Sequence, residues 1–347
     1  IKSGYALSSA WVSVPYPITT SSPVIGTGFN GSELLYIGTS DARLLALNTG
    51  DGSLLWQRRL APEGESFKVL SSPSVAESGA VYTLTSRKIG FGRLQTQLVK
   101  VDQLGFRRWN FAFPANSFAI GSPKTISFKG STLILVQVTT IIAEEAHGAL
   151  HVIADEGDRA IELSHRSFSP CRRTLTSGQS DPHSLLNDIE AIWSIGSAVA
   201  GSVSETQPSL KGSFLMPTPA VNAMNEYLSI AIVDNVCGFG VYRWDGHSLE
   251  AAWWKQHGGQ SHSSPAILPG HLMVFGQEDG AVKGLDLITG AQRWIYQGDE
   301  PALATPAGPT EKYVFAVTQR HLLRLSADTG QPITCLLYTS DAADDLA

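Results

Sequence analysis

The segment EEAHGALH, residues 144–151, groups side chains that could bind a metal ion or transfer protons. His147 and His151 are four residues apart, which on a helix would place both imidazoles on one face, as in zinc peptidases with an H-E-x-x-H motif. Here the glutamates precede the first histidine, and the repeat that runs through the chain predicts a strand over 148–154. On a strand the two side chains share a face but stand roughly 13 Å apart. We therefore predict solvated polar residues at a sheet edge and no metal site.

A second histidine pair lies in HGGQSH, residues 257–262, between Trp253 and Pro265. Loop residues carry function more often than core residues, so His257 and His262 are candidates to face a ligand. We favour the alternative that the segment is a plain glycine-rich connector. The chain contains no G-x-S-x-G elbow, P-loop or Rossmann fingerprint. We predict no catalytic and no cofactor-binding residue.

A motif that ends in tryptophan recurs along the chain. A glycine stands four residues before the tryptophan in ALNTGDGSLLW, VDQLGFRRW and LDLITGAQRW, which gives the pairs Gly52–Trp56, Gly105–Trp109 and Gly290–Trp294. In two weaker copies another residue stands at the position of the tryptophan: Thr334, four residues after Gly330, and Ile161, four residues after Gly157. A looser copy, RWDGHSLEAAWW (243–254), ends in Trp253 and Trp254. Such self-similarity indicates a repeat architecture.

Ser-Pro or Thr-Pro pairs accompany the motif. Their prolines are 50, 50, 96, 46 and 41 residues apart: Pro23, Pro73, Pro123, Pro219, Pro265 and Pro306. Proline fits the first residue of a strand, where its missing N–H costs no ladder bond. After the strand that follows the proline, each repeat contains a predicted hairpin of two strands and then a strand that carries the tryptophan. Each repeat therefore predicts four antiparallel strands, as in a propeller blade. We predict an all-β β-propeller with six blades visible here and seven or eight in the parent protein. Trp56, Trp109, Trp253 and Trp294 should occupy equivalent positions on outermost strands.

Two copies, GTSDARLLALNTGDGSLLW (38–56) and GQEDGAVKGLDLITGAQRW (276–294), resemble the repeat of the pyrroloquinoline-quinone-type propellers. The resemblance runs from residue 11 to residue 334. That family contains quinoprotein dehydrogenases and also non-catalytic scaffolds, among them the lipoprotein propeller of the outer-membrane barrel assembly machinery. The resemblance implies a scaffold that binds another protein or an extended ligand in the bacterial cell envelope, in the periplasm. The alternative that it implies is a quinone-dependent dehydrogenase.

The resemblance also implies what an enzyme of this family would need. Its quinone stacks between a tryptophan and a ring formed by two adjacent cysteines, and Glu, Asn and Asp hold a calcium ion. The cysteines here, Cys171, Cys237 and Cys335, are not adjacent, and no local motif matches the calcium ligands. We therefore expect no cofactor and favour the scaffold, with pyrroloquinoline quinone and calcium as the alternative.

Composition narrows the partners. The net charge of −6 and the pI near 5.8 argue against a nucleic-acid-binding protein. The sequence contains no apolar run of 18 residues, so no transmembrane segment is predicted. A protein partner remains the expectation.

The 96-residue spacing between Pro123 and Pro219 allows two explanations. Ser169-Pro170 would divide the gap almost evenly and create a degenerate blade. The segment DPHSLLNDIEAIWSIGSAV (181–199), however, has helical apolar spacing, with Asp181 as a helix cap and Pro182 at the first helical position. We favour a helical or loop insertion at about 168–215 within a single propeller domain, residues 1–334.

The ends of the chain carry separate expectations. Residues 335–347, CLLYTSDAADDLA, are unrelated to the repeat, and the first ten match the translation of a transposon-end sequencing adapter. We interpret them as a non-native tail and the chain as a metagenomic fragment truncated at both ends. Trp11 precedes Pro23 by 12 residues, as Trp253 precedes Pro265. The segment AWVSVPY should therefore be the outermost strand of another blade.

Overall fold

A computed structural model describes residues 21–62, 65–90, 93–119, 121–142, 145–168, 217–234, 238–256, 261, 263–308 and 310–337. These residues form antiparallel strands and no helix. The all-β prediction is confirmed. Several predicted features lie outside the described residues: Trp11, Cys171, Cys237, His257, His262 and the segment 169–216 with its predicted helix.

Three sheets form before residue 168. Sheet I contains β1 (Val24–Thr27), β2 (Glu33–Gly38), β3 (Arg43–Asn48) and β4 (Leu54–Arg59). Sheet II contains β5 (Phe67–Val69), β6 (Ser74–Val75), β7 (Val81–Gly90), β8 (Arg93–Val101) and β9 (Arg107–Ala112). Sheet III contains β10 (Ser117–Phe118), β11 (Lys124–Phe128), β12 (Ser131–Ile142), β13 (Glu145–Asp155) and β14 (Ala160–Ser167).

Three further sheets follow residue 217. Sheet IV contains β15 (Ala220–Ala223), β16 (Leu228–Asp234), β17 (Gly238–Trp244) and β18 (Leu249–Lys255). Sheet V contains β19 (Ala266–Leu268), β20 (Leu272–Gly276), β21 (Ala281–Asp286) and β22 (Gln292–Gln297). Sheet VI contains β23 (Tyr313–Val317), β24 (His321–Ser326) and β25 (Pro332–Leu337).

The predicted four strands per sheet hold in sheets I, IV and V. Sheets II and III have a fifth short strand. β7 and β12 are longer than the first strands β6 and β11 that pair with them, and their remaining residues pair with β5 and β10. In sheet VI a single bridge between Ala307 and Phe315 replaces the first strand. β1, β15 and β19 each begin one residue after a proline of the Ser/Thr-Pro pairs, as predicted.

The core consists of apolar layers between consecutive sheets. Buried clusters join sheet I with II, II with III, III with IV, IV with V, and V with VI. Alternation along a strand supplies both layers, since on β13 Ile153 packs toward sheet II and Val152 toward sheet IV. A sheet with two buried faces explains why the middle strands are nearly continuous apolar runs.

The tryptophans of the repeat occupy one equivalent position, as predicted. Each lies on the last strand of its sheet, directly after a β-bulge residue, in the pairs Trp56–Ala46, Trp109–Lys100, Trp253–Val241 and Trp294–Gly284. In sheet III that position belongs to Ser164. The expectation for Ile161 is wrong because the β13–β14 turn is shorter. Glu156 N–H bonds directly to Arg159 O, and the bulge therefore comes later along β14.

Three of the four tryptophans pack on a glycine of the next sheet, not on the glycine four residues before them. Trp56, Trp253 and Trp294 cover Gly105, Gly290 and Gly330, and each indole N–H donates to a carbonyl just before that glycine. The three glycines have φ between 68° and 83°, where a Cβ is strained. A Cβ there would lie 2.5–2.8 Å from the indole ring. The motif therefore docks sheet I onto sheet II, sheet IV onto sheet V and sheet V onto sheet VI.

The Ser/Thr-Pro pairs form a hydrogen-bonded series around the ring. In four of the six pairs the backbone N–H of the first residue donates to the hydroxyl of the equivalent residue in the next sheet, at 2.8–3.1 Å. The series runs Ser22, Ser72, Ser122, Thr218, Ser264. Each link ties the starts of two neighbouring first strands.

Sheets III and IV are direct neighbours although 96 residues separate their prolines. Ser122 N–H donates to Thr218 Oγ1 at 2.8 Å, and Leu135, Val152, Leu228 and Ile230 share one buried cluster. No described residue lies between the two sheets as a further blade. This packing supports the interpretation of the segment near 168–215 as an insertion, which stays a prediction because that segment lies outside the described residues.

Sheet VI ends on a strand of its own. β25 has the same bulge as the other last strands, with Thr334 paired to Arg324. The strand reaches Leu337, beyond the predicted start of the non-native tail at Cys335. Backbone pairing requires only an extended segment beside an open ladder, so the interpretation of residues 335–347 as translated adapter stays a prediction.

Candidate functional site

Turns of three neighbouring sheets surround an open groove of about 610 Å³. Phe29 comes from the β1–β2 turn, Ser78 from the turn before β7, residues 102–104 from the β8–β9 turn, and Gly157 from the β13–β14 turn. The groove therefore lies at the end of the ring where turns between first and second strands meet turns between third and fourth strands.

The rim of the groove is apolar and exposed. The exposed fraction is 71% for Phe29 and 49% for Leu104. Phe106, in the same turn as Leu104 but not in the lining of the groove, is 52% exposed. The β8–β9 turn holds two of these side chains in place, because Asp102 Oδ1 accepts hydrogen bonds from Leu104 N and Phe106 N at 3.0 and 2.8 Å. A side-chain acceptor that fixes its own turn is typical of aspartate in loops. The turn thus presents its large apolar residues to solvent in a defined backbone geometry.

Arginines flank this apolar rim. Arg107 and Arg108 are both exposed and line the groove. Arg107 Nη1 donates to Leu60 O at 3.1 Å, and Arg108 Nε donates to Asp102 Oδ2 at 2.6 Å. Arg58 lies over the Phe106 ring, 5.4 Å from its centroid. Aromatic and arginine side chains together are enriched at protein–protein interfaces.

A buried ion pair forms the floor of the groove between sheets II and III. Lys100 Nζ lies 2.5 Å from Asp155 Oδ2. Tyr82 donates to the same oxygen at 2.5 Å, and Trp109 Nε1 donates to Asp155 Oδ1 at 3.0 Å. Gly157 N–H also donates to Oδ1 at 3.0 Å. This network replaces the tryptophan-on-glycine contact that joins sheets I and II, IV and V, and V and VI.

The network fixes the charge of the aspartate. Burial alone would raise the pKa of Asp155, but hydrogen bonds from Lys100, Tyr82 and Trp109 outweigh it and lower that pKa. Burial, followed by the bond to Asp155, raises the pKa of Tyr82 well above its usual range. With both carboxylate oxygens occupied, the arrangement suits a structural ion pair rather than a general base.

The segment around His147 and His151 lies on β13, as predicted. The two histidines do not meet, since they pair with Thr140 and Val136 at separate points of the ladder. The expectation that His151 is a solvated edge residue is wrong. Its residue exposure is only 7%, because the face of β13 that carries it is covered by the edge of Phe113 from sheet II. His151 instead contacts Glu162 and His165 on β14.

The residues do not fit a quinone site of the family type. The chain has no adjacent cysteine pair. In the part of the chain that the structure describes, the group of three potential ligands that lie together is His151, Glu162 and His165. Calcium prefers six to eight oxygen ligands, which two imidazoles cannot supply.

Comparison with known proteins connects the groove to a family. A protein-family model described as "Outer membrane protein assembly factor BamB" matches residues 13–143. BamB from Moraxella catarrhalis is a similar solved structure, with 14% identity and a TM-score of 0.54, over 92% of this chain and 77% of that chain. The chain is a β-propeller that resembles BamB. The predicted resemblance to the pyrroloquinoline-quinone-type propellers is thereby confirmed.

A second similar structure belongs to another kind of protein. The β-propeller domain of Cps50 (Swd1) from Myceliophteria thermophila has 13% identity and a TM-score of 0.52, over 93% of this chain and 87% of that domain. No curated protein sequence matches the chain. Similarity at this level of identity shows the fold, and the propeller prediction is confirmed. Function must be argued from the groove, most of which lies in the segment that matches the BamB family.

The sequence did not single out the groove residues. Phe29 and Leu104 look like ordinary members of turns, and their convergence depends on how sheets I and II stack. One signal was present: Leu104 and Phe106 are large apolar residues in a turn after Asp102, where small polar residues are the usual choice. The structure describes no helix long and apolar enough to cross a membrane.

Proposed function

We propose that this chain is a non-catalytic propeller that binds another protein in the bacterial cell envelope, in the periplasm at the outer membrane. One observation carries the proposal: an exposed apolar groove flanked by arginines lies mainly within the segment that matches an outer membrane protein assembly factor. Exposed apolar patches rimmed by polar residues mark protein-interaction sites.

The chemistry of the groove indicates which kinds of side chain a partner would present to it. Phe29 and Leu104 would be buried against apolar side chains, and burial of apolar surface is the dominant favourable term in most protein–protein association. Arg107 and Arg108 would face acidic groups or backbone carbonyls at the rim. A segment with alternating apolar and acidic residues matches both features.

Site-specific photo-crosslinking tests this proposal. The full chain is exported to the periplasm of a Gram-negative host with a photoreactive phenylalanine analogue at Leu104, and a matched protein carries the analogue at Ile295. Ile295 is 44% exposed and lies on sheet V, away from the groove. We expect a discrete crosslink to an envelope protein from position 104 only, and we expect Phe29→Asp to weaken it. The same products from both positions, or none from position 104, would contradict the proposal.

A further inference from the structure

Three potential metal ligands meet at the outer edge of sheet III, where it faces sheet II. His151 Nδ1 lies 2.6 Å from Glu162 Oε1, and His165 Nδ1 lies 3.5 Å from the same oxygen. One ligand atom from each of the three residues lies within 4.8 Å of the others. The two imidazoles stack with centroids 5.5 Å apart. The cluster is separate from the groove.

A β-bulge creates this cluster. Residues three apart on a regular strand point to opposite faces, so Glu162 and His165 should not meet. The bulge at Leu163 adds one residue to β14, so that Glu162 pairs with Ile153 while His165 pairs with His151. Because His151 and Ile153 share a face of β13, all three ligands converge. Bulges commonly redirect side chains next to functional sites.

The three residues suit a transition metal in chemistry and size. Two imidazoles and one carboxylate form a common ligand set for zinc, with metal–ligand distances of about 2.0–2.2 Å. Ligands around such a tetrahedral ion are about 3.4 Å apart, close to the 3.5 Å between His165 and Glu162. The 2.6 Å between His151 Nδ1 and Glu162 Oε1 is shorter than this spacing. The Glu162 carboxylate would therefore have to move away from His151 by less than about 1 Å to admit the ion.

One side of the cluster is rigid and the other is accessible. The His151 side chain is 9% exposed and packs edge-to-face with Phe113, with ring centroids 5.1 Å apart. The His165 side chain is 61% exposed, and that of Glu162 is 31% exposed. An ion can therefore enter from solvent and draw His165 inward while His151 keeps its place. We propose that His151, Glu162 and His165 bind one divalent transition-metal ion, preferably Zn²⁺, with the remaining coordination position open to solvent.

Zinc titration of the tag-free full chain, in competition with a chromophoric chelator at neutral pH, tests the proposal. We expect saturable binding of one Zn²⁺ per chain. His165→Ala and Glu162→Gln should each weaken the affinity at least about tenfold, because even residues that only support a ligand contribute that much. Zinc should also raise the Tm of the wild-type chain but not of His165→Ala, since an ion that binds only the folded state stabilises it.

His321→Ala is the matched control. His321 Nδ1 lies 3.0 Å from Glu300 Oε2, which is the same imidazole–carboxylate contact without the second imidazole. This variant should bind zinc like the wild type. Because His165 is largely exposed, His165→Ala should melt in chelator at the wild-type temperature, which separates loss of ligand from loss of fold. Absence of saturable binding, or wild-type affinity in both His165→Ala and Glu162→Gln, would overturn the proposal.

Discussion

At the level of single residues, the turn glycines illustrate a requirement that comes from a neighbouring sheet. Gly290 has φ 72° and lies beneath the Trp253 ring. Gly270, in the same sheet, has φ 73°, but nothing lies within 4 Å of the position that its Cβ would occupy. The two glycines share a backbone conformation and differ in what covers them.

We therefore expect Gly290→Ala to destabilise the protein more than Gly270→Ala. Both substitutions force a Cβ into the left-handed region, at a cost of about 1–2 kcal/mol. Only Gly290→Ala also places the Cβ 2.6 Å from Trp253, which should cost a further 1–3 kcal/mol or so from overpacking. Urea unfolding of the two variants measures the difference. Equal losses would show that the indole moves aside at no cost.

The repeat spacing marks Gly290 and Trp294 but does not reveal which residues they contact. The spacing of Gly290 and Trp294 marked the repeat, and both occupy the predicted positions. The contact partner of each tryptophan lies one sheet further on, and a spacing within one repeat contains no information about that stacking. The cluster of His151, Glu162 and His165 was missed for a related reason. It depends on a bulge whose position follows from the length of one turn.

At the level of elements, the junction between sheets II and III relies on charge, whereas the I–II, IV–V and V–VI junctions rely on tryptophan and glycine. Lys100 is only 8% exposed, and Asp155 is its counter-ion. Removing one member of a buried pair leaves an uncompensated charge, which typically costs about 3–5 kcal/mol.

Asp155→Asn should therefore lower the free energy of unfolding at neutral pH by roughly that amount. The difference should depend on pH. The pKa of Asp155 is lowered in the folded state from 3.8, so its stabilisation is present above pH 3.8 and is lost as the pH falls through the folded value. The gap between wild type and variant should narrow in acid. Urea unfolding at neutral pH and below pH 3.8 measures it.

Asp158→Asn is the control for this experiment. Asp158 lies in the same turn and is exposed, so its substitution should change stability by no more than about 0.5 kcal/mol. If Asp155→Asn behaved like this control at every pH, the ion pair would not be what joins sheets II and III.

The order of elements was largely predictable from sequence, because proline, glycine and tryptophan mark strand boundaries locally. The first strands begin after Pro23, Pro219 and Pro265 as expected. The additional strands β5 and β10 were not expected, since they depend on how far the β7–β8 and β12–β13 hairpins extend. Hairpin length is set by pairing between distant apolar residues and has no local marker.

At the level of the whole molecule, the propeller resembles a family that includes quinone-dependent enzymes, and the proposed function excludes that chemistry. We expect purified protein supplied with pyrroloquinoline quinone and calcium to show no bound quinone absorbance and no dye-linked oxidation of alcohols or sugars. The reason is that the chain has no adjacent cysteine pair and that no local motif of its sequence matches the calcium ligands of the family. A quinoprotein dehydrogenase treated in parallel serves as the positive control. Clear turnover would favour the enzyme over the scaffold.

The Ser/Thr-Pro series has a consequence for how such a ring can change in evolution. Ser72, Ser122 and Thr218 each contribute one backbone donor and one hydroxyl acceptor, so every copy can bond to an equivalent copy on either side. Duplicating a coding segment inserts a unit whose two ends both find partners, and deleting one lets its neighbours join. The link from Ser122 to Thr218 forms across 96 residues of sequence as readily as the link from Ser22 to Ser72 forms across 50. The number of sheets and the length of chain between two Ser/Thr-Pro pairs can therefore change in evolution while the hydrogen bond between neighbouring pairs is kept.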